Sequence, residues 1–167
     1  MIPPYRVELS QLDIYVADTS NESSASAQRS FKSIYQALAG RATPAWLTTH
    51  VPTEDLGSAY DDSQLAEQSM LKWLHVGHVH NFQNIPASVS QQTQTITGGS
   101  GTALDGCGST AICPVSSQKS ECCYGEVSSH DAGQYSYLTV DYDLSKAEWT
   151  AELRELNGRA IYQFVVP

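Results

Sequence analysis

The chain is poor in basic residues, with 9 Lys and Arg against 18 Asp and Glu in 167 residues and a formal net charge of −9. This balance argues against binding to the phosphate backbone of nucleic acids, which requires a basic surface. Long hydrophobic runs are also missing, so no transmembrane helix and no membrane partner are predicted. No segment resembling a signal peptide follows Met1. A phosphate-containing substrate stays compatible with the acidic charge, because a bound divalent metal supplies local positive charge.

Cysteine is absent except in residues 107–123, which hold Cys107, Cys113, Cys122 and Cys123. Their spacing lacks the paired Cys-x-x-Cys that is typical of zinc sites. Two local disulfides that brace one long loop are therefore favoured over a zinc-ribbon-like module, and the pairing stays open. An even number of cysteines in one irregular segment is typical of oxidising compartments, so the expected location is periplasmic or secreted.

Strands and helices are predicted to alternate along the first half of the chain. The predicted elements are strands at 5–9, 12–17, 44–52 and 73–76, a helix at 25–39, a weaker helical segment at 61–70, and an exposed strand at 92–97. Residues 135–143, 149–156 and 159–166 alternate as antiparallel strands, with Asn157-Gly158 as a hairpin signal. The whole pattern predicts a single α/β domain, a layered β-sheet with flanking helices that ends in antiparallel strands.

Histidine is concentrated in residues 73–83, which hold three of the five in the chain. His78 and His80 follow the apolar strand, and in an extended segment side chains two residues apart point the same way. Such a pair fits metal ligands and polar loop residues equally well. His50, with Pro52 two residues later, marks the end of the strand predicted within 44–52. The α/β layering places this histidine at the carboxyl end of a strand next to the one that precedes His78. This convergence favours a metal site.

Two further segments carry weaker signals. Asp18 follows the second strand, where ligands bind in α/β sheets, but aspartate is also an ordinary helix-start residue, and that interpretation is favoured. The glycine cluster at 98–101 has neither the Lys-Ser/Thr pair nor the helix start of a phosphate-binding loop. A flexible turn close to the histidines is predicted there instead.

Thr49-His50-Val51-Pro52 and Gly77-His78-Val79-His80 resemble the last two metal motifs of the calcineurin-like metallophosphoesterases. The resemblance covers roughly residues 3–105, and the final strands more loosely. It implies that residues 1–167 are the C-terminal portion of a catalytic domain, and therefore part of an αββα sandwich. It also implies a two-metal site of Fe, Zn, Mn or similar ions, in which His50 and His78 bind one ion and His80 binds the other. The implied function is a phosphoric ester hydrolase, in which a metal-bridged hydroxide attacks phosphorus.

The chain departs from this family in its carboxylates. The earlier motifs Asp-x-His, Gly-Asp-x-x-Asp and Gly-Asn-His-Asp/Glu, which carry the bridging aspartate and the leaving-group acid, do not occur in these 167 residues. The pairs Asp61-Asp62 and Asp141-Tyr142-Asp143 lack the spacing and are predicted as solvated or turn residues. We therefore expect Met1 to be an internal start and the chain to be inactive alone. The alternative is a non-catalytic metal-binding or interaction domain with only the histidine half-site. Whether the substrate is a monoester, a diester or a nucleotide stays open.

Overall fold

The structure is a computed structural model, and it describes residues 3–20, 24–80, 82–85, 92–98 and 135–166. One α-helix and nine strands form most of this part of the chain. The elements are β1 (Tyr5–Glu8), β2 (Asp13–Ala17), α1 (Ser24–Leu38), β3 (Ala45–Thr49), β4 (Leu71–Val76), β5 (Phe82–Ile85), β6 (Thr93–Thr97), β7 (Ser136–Asp143), β8 (Glu148–Glu155) and β9 (Ala160–Val166).

The first six strands form one mixed sheet in the order β1-β2-β3-β4-β6-β5. Strands β2, β3, β4 and β6 are parallel, and the outer strands β1 and β5 run antiparallel to their neighbours. The last three strands form a separate antiparallel sheet, β7-β8-β9. The predicted α/β class and the antiparallel ending are therefore confirmed. Because parallel strands share one direction, the carboxyl ends of β2, β3, β4 and β6 lie at the same edge of the sheet.

Helix α1 packs one apolar stripe against the six-stranded sheet. Its buried side chains Ala27, Phe31, Ile34 and Leu38 recur at helical spacing, as the sequence predicts. Gly40 follows with φ +76, a left-handed conformation that glycine adopts at low cost and that ends the helix. No helix in the described ranges is long and apolar enough to cross a membrane.

The opposite face of the six-stranded sheet packs against the three-stranded sheet. Trp46 and Trp73 of the larger sheet form a buried cluster with Ala151 and Val166 of the smaller one. Full burial of a large apolar side chain contributes about 1.5–3 kcal/mol. The six-stranded sheet therefore has an apolar core on each face, which sets its position relative to both α1 and the smaller sheet.

The hairpin between β8 and β9 forms at the predicted Asn157-Gly158 pair. Gly158 has φ +89, and its N–H donates to the carbonyl of Glu155 at 2.8 Å. Asn157 accepts a hydrogen bond from the N–H of Arg159 through its side-chain oxygen at 2.8 Å. The turn chemistry thus closes the hairpin as the sequence indicates.

The helical segment predicted at 61–70 is wrong as a single helix. The structure has short 3-10 helices at Thr53–Ala59, Asp61–Ser63 and Leu65–Glu67 instead. Gln64 adopts φ +61, which interrupts helical geometry, and the Ser63 hydroxyl donates to the carbonyl of Tyr60. Serine competes with helical hydrogen bonding in this way when it bonds to nearby backbone.

The exposed strand predicted at 92–97 is buried. Strand β6 lies between β4 and β5, and Gln94, Thr95 and Ile96 are each 0% exposed. Internal partners satisfy its polar side chains: Gln94 accepts a hydrogen bond from Thr53 at 3.2 Å, and Thr95 accepts one from the indole N–H of Trp73 at 2.8 Å. Burial of polar side chains is tolerated when they are hydrogen-bonded. The predicted cysteine-braced loop at 107–123 lies outside the described residues.

Candidate functional site

The turn after β3 presents the first predicted ligand, His50, with an exposed side chain. The hydroxyl of Thr19, which follows β2 and is 1% exposed, accepts hydrogen bonds from the backbone N–H of His50 at 3.2 Å and of Val51 at 2.9 Å. The Thr49 hydroxyl donates to the carbonyl of Val51 at 3.0 Å. These bonds fix the backbone on both sides of His50, so its imidazole projects from a well-defined base. No pattern in the sequence indicates this role of Thr19.

The turn after β4 presents His78 in an uncommon backbone conformation. The N–H of Val79 donates to the carbonyl of Gly77 at 2.8 Å, and His78 between them has φ +67. A hydrogen bond between residues two positions apart, around a central residue with positive φ, defines the rarer of the two kinds of γ-turn, and this conformation is strained. Such strain costs about 1–3 kcal/mol for a residue with a side chain and concentrates at functional sites.

This turn corrects one step of the sequence interpretation. The sequence predicts an extended segment at 78–80 in which His78 and His80 point the same way, but these residues bend instead. Val79 between them is 6% exposed and packs into the core on the helix side of the sheet. The positive φ of His78 redirects its imidazole, so the alternation of an extended strand does not apply here.

His50 and His78 contact each other. The distance between His78 Nδ1 and His50 Nε2 is 3.2 Å, and the two ring centroids lie 5.1 Å apart with nearly perpendicular planes. Their strands are parallel neighbours, with Thr49 in register with Val76. The structure therefore joins two of the three predicted ligands at the edge where the sequence places them.

The spacing of the two nitrogens fits joint binding of one metal ion. Two nitrogens bound to the same zinc ion at about 2.0–2.1 Å lie roughly 2.9–3.4 Å apart at ordinary coordination angles. The 3.2 Å separation of His78 Nδ1 and His50 Nε2 falls within this range. The same separation is also that of a hydrogen bond in which one imidazole donates and the other accepts. The distance therefore fits both a hydrogen-bonded imidazole pair and two ligands of one ion.

The backbone of β6 ends against the histidine turn. A Cβ atom at Gly98 would lie 1.9 Å from the carbonyl oxygen of Val79 and 3.1 Å from Cα of His80. Only glycine leaves room for this approach. Gly98 therefore belongs to the architecture of the site, whereas the sequence signal around it predicts only a flexible turn.

The third predicted ligand, His80, is half-buried beside Gly98. In the part of the chain that the structure describes, no three His, Cys, Asp or Glu side chains are grouped closely enough to hold a metal ion. The assignment of His80 to a second ion stays a prediction.

Asp18 contributes negative charge at the same edge of the sheet. Its carboxylate accepts hydrogen bonds from the Ser20 hydroxyl at 2.6 Å and from the Ser20 N–H at 3.1 Å. These two bonds hold the pKa of Asp18 below its usual value, and nearby His50 lowers that pKa further. The electrostatic interaction of Asp18 with His50 is a feature that the helix-start interpretation does not include.

His75 stands apart from the pair, although it lies in the same histidine-rich stretch. Its Nε2 lies 2.6 Å from the hydroxyl of Thr97, and its ring packs against Trp73 with centroids 5.5 Å apart. Burial lowers the pKa of His75, which favours the neutral imidazole. This histidine therefore has a packing role between strands β4 and β6.

Comparison of the chain with models of protein families and with curated protein sequences gave no match. The resemblance to the calcineurin-like metallophosphoesterases accordingly stays a prediction that rests on the motifs around His50 and His78.

Proposed function

We propose that this chain carries the histidine part of a metal-dependent phosphoric ester hydrolase of the calcineurin-like metallophosphoesterase type. The observation that supports the proposal is the 3.2 Å approach of His50 Nε2 and His78 Nδ1 at the ends of neighbouring parallel strands. The proposal includes the αββα sandwich, in which the six-stranded sheet with α1 would form one half. It also includes the periplasmic or secreted location inferred from the cysteine segment.

The residues of this chain would hold and orient a divalent cation such as Zn, Fe or Mn. His50 and His78 supply neutral nitrogen ligands, which suit these ions. Thr19 fixes the backbone of His50 from a buried position, and the γ-turn fixes that of His78. A bound cation activates water at neutral pH and offsets the charge of the phosphoryl oxygens. His80 is proposed to bind a second ion.

Efficient two-metal hydrolysis also needs a bridging carboxylate, which we propose comes from outside these 167 residues. Asp18 interacts with His50, but one of its oxygens already accepts two hydrogen bonds from Ser20. Asp18 is therefore not proposed as the bridging carboxylate. The alternative function is a non-catalytic metal-binding or interaction domain that uses the histidine half-site alone. In-frame sequence before Met1 that spells Asp-x-His and Gly-Asn-His-Asp would support the hydrolase, and other in-frame sequence there would favour the alternative.

Both the hydrolase and the alternative function require the histidines to bind a metal ion, so the metal content of the purified chain tests this common requirement. The purified chain loaded with zinc should lose its metal to background when His50, His78 and His80 are all changed to Ala. His75→Gln is the matched control, because His75 is engaged with Thr97 and should leave zinc binding unchanged. Zinc binding that is equal in the triple variant and in the native chain would show that the site is wrong.

Turnover of a generic phosphomonoester tests whether these 167 residues are active by themselves. We expect negligible hydrolysis by this chain alone, because a site without a bridging carboxylate holds the metal weakly. Clear metal-dependent turnover that survives replacement of the three histidines would refute their assignment.

A further inference from the structure

A cavity of about 360 Å³ opens at the edge of the six-stranded sheet opposite to the histidine pair. It lies between the starts of β3 and β4 and the turn that joins β7 to β8. Strand β3 has five residues, so roughly 15 Å of strand separates the cavity from His50. The volume is that of a small-molecule site. The cavity is therefore separate from the proposed metal site.

Aromatic rings form one wall of the cavity. Trp149 contacts Trp46 with ring centroids 4.9 Å apart, and it contacts Tyr142 at 4.8 Å. Trp46 is 6% exposed and is held in turn by an edge contact with Trp73. Rings that are fixed by such contacts offer a rigid apolar surface, which favours a flat ligand.

The turn at the rim of the cavity is also fixed. The carboxylate of Asp143 accepts hydrogen bonds from the Ser145 hydroxyl at 2.6 Å and from the Ser145 N–H at 2.8 Å. The Lys146 ammonium lies 3.3 Å from the same carboxylate, in an exposed ion pair. Ala147, which lines the cavity, completes the turn with φ +53. The rim is thus preorganised by the chain itself.

Lys72 is the basic residue of the lining for which the described residues show no ion pair. It lines the cavity at the start of β4, is half-buried, and has no carboxylate partner among the described residues. Glu148, at the start of β8, adds one negative charge to the lining. Lys72 and Glu148 together give no excess of positive charge, which disfavours a dianion such as a phosphate monoester, whereas Lys72 alone can pair with a single carboxylate.

We propose that this cavity binds a small planar monocarboxylate, with its aromatic ring against Trp46 and Trp149 and its carboxylate paired with Lys72. The site does not depend on the proposed phosphoesterase function. It uses a different edge of the sheet and a different ligand chemistry, and it shares no residue with the histidine pair.

The test is a titration with 2-naphthoate, followed through the three tryptophan indole N–H signals in two-dimensional NMR. The signals of Trp46 and Trp149 should move in a saturable way. Trp73, whose indole N–H donates to Thr95 at 2.8 Å, is the internal reference and should move less. Absence of saturable shifts of Trp46 and Trp149 at millimolar naphthoate would overturn the proposal.

Charge-removing variants test the role of the ammonium. Lys72→Met should weaken naphthoate binding by roughly tenfold, as expected for loss of a charge-assisted hydrogen bond. Lys32→Met is the matched control, because Lys32 is exposed on α1, and it should leave binding unchanged. The neutral amide of the same acid should bind weakly to the native chain and equally to both variants. Equal loss in both lysine variants, or equal binding of acid and amide by the native chain, would refute the pairing. Lys72→Gln gives the same comparison with a polar side chain if Lys72→Met does not fold.

Discussion

Gly98→Ala is the substitution that most directly tests how β6 supports the histidine turn. The added Cβ would lie 1.9 Å from the carbonyl oxygen of Val79, whereas ordinary contacts begin near 3.4 Å, so the two segments must separate by 3.4 − 1.9 = 1.5 Å. Both sides of this contact are backbone, and neither can move aside by a change of rotamer. Overpacking of this kind costs typically 1–3 kcal/mol, and we expect about 3 kcal/mol here.

Gly40→Ala is the matched control for this prediction. Gly40 has φ +76, and no atom of the described residues lies within 4 Å of the place that an added methyl group would occupy. Only the left-handed conformation therefore opposes the substitution, and that conformation costs about 1 kcal/mol for a residue with a side chain. Urea unfolding should show that Gly98→Ala loses about 2 kcal/mol more stability than Gly40→Ala.

The same pair of variants connects stability to the site. Val79 is bonded directly to His78, so the separation forced by Gly98→Ala should displace the imidazole pair and weaken zinc binding, while Gly40→Ala should not. The reasoning fails if Gly98→Ala is as stable as Gly40→Ala, or if it loses stability and still binds zinc like the native chain.

Substitutions at three other residues have defined outcomes. Burial lowers the pKa of His75 below 6.5. The stability that neutral His75 contributes is therefore fully present above pH 6.5 and is lost as the pH decreases from there, because the unfolded chain takes up the proton first. His75→Gln should reduce this loss in urea titrations between about pH 7 and 5, and identical slopes would contradict the assignment. Hydrogen bonds from Ser145 lower the pKa of Asp143 from 3.8 to about 2, so its contribution is complete above pH 3.8 and is lost as the pH falls toward 2. Asp143→Asn should be less stable at pH 7 and change less across that window, and an unchanged profile would show that the turn does not need the charge. His78→Gly should be more stable than His78→Ala by about 1 kcal/mol, because glycine relieves the positive φ, and a more stable alanine variant would rule out strain at this turn.

The elements that the sequence predicts well are those in which local chemistry and burial agree. The apolar stripe of α1 repeats at helical spacing and ends at a glycine, and Asn157-Gly158 combines a turn signal with alternating flanks. The meeting of His50 and His78 is predictable for a related reason. Parallel strands bring their carboxyl ends to one edge, so the meeting of two residues that follow neighbouring strands is predictable without any knowledge of side-chain packing.

The elements that the sequence predicts poorly depend on partners far along the chain. Thr and Gln in β6 indicate exposure by composition, but Thr53 and Trp73 provide the hydrogen bonds that allow their burial. Strand β5 is four residues long and pairs only with β6 among the described strands, which leaves little local signal. The conformation of His78 is likewise not predictable, because only a few per cent of non-glycine residues adopt a positive φ, even though histidine is enriched among them.

All three tryptophans of the chain lie where the two sheets meet, since Trp149 contacts Trp46 and Trp46 contacts Trp73. Intrinsic tryptophan fluorescence therefore reports the separation of the sheets, whereas the far-ultraviolet helical dichroism comes from α1 on the other face. Thermal transitions that coincide in the two signals would mean that both cores melt as one cooperative unit. An earlier fluorescence transition would mean that the three-stranded sheet detaches while α1 stays folded on its own core.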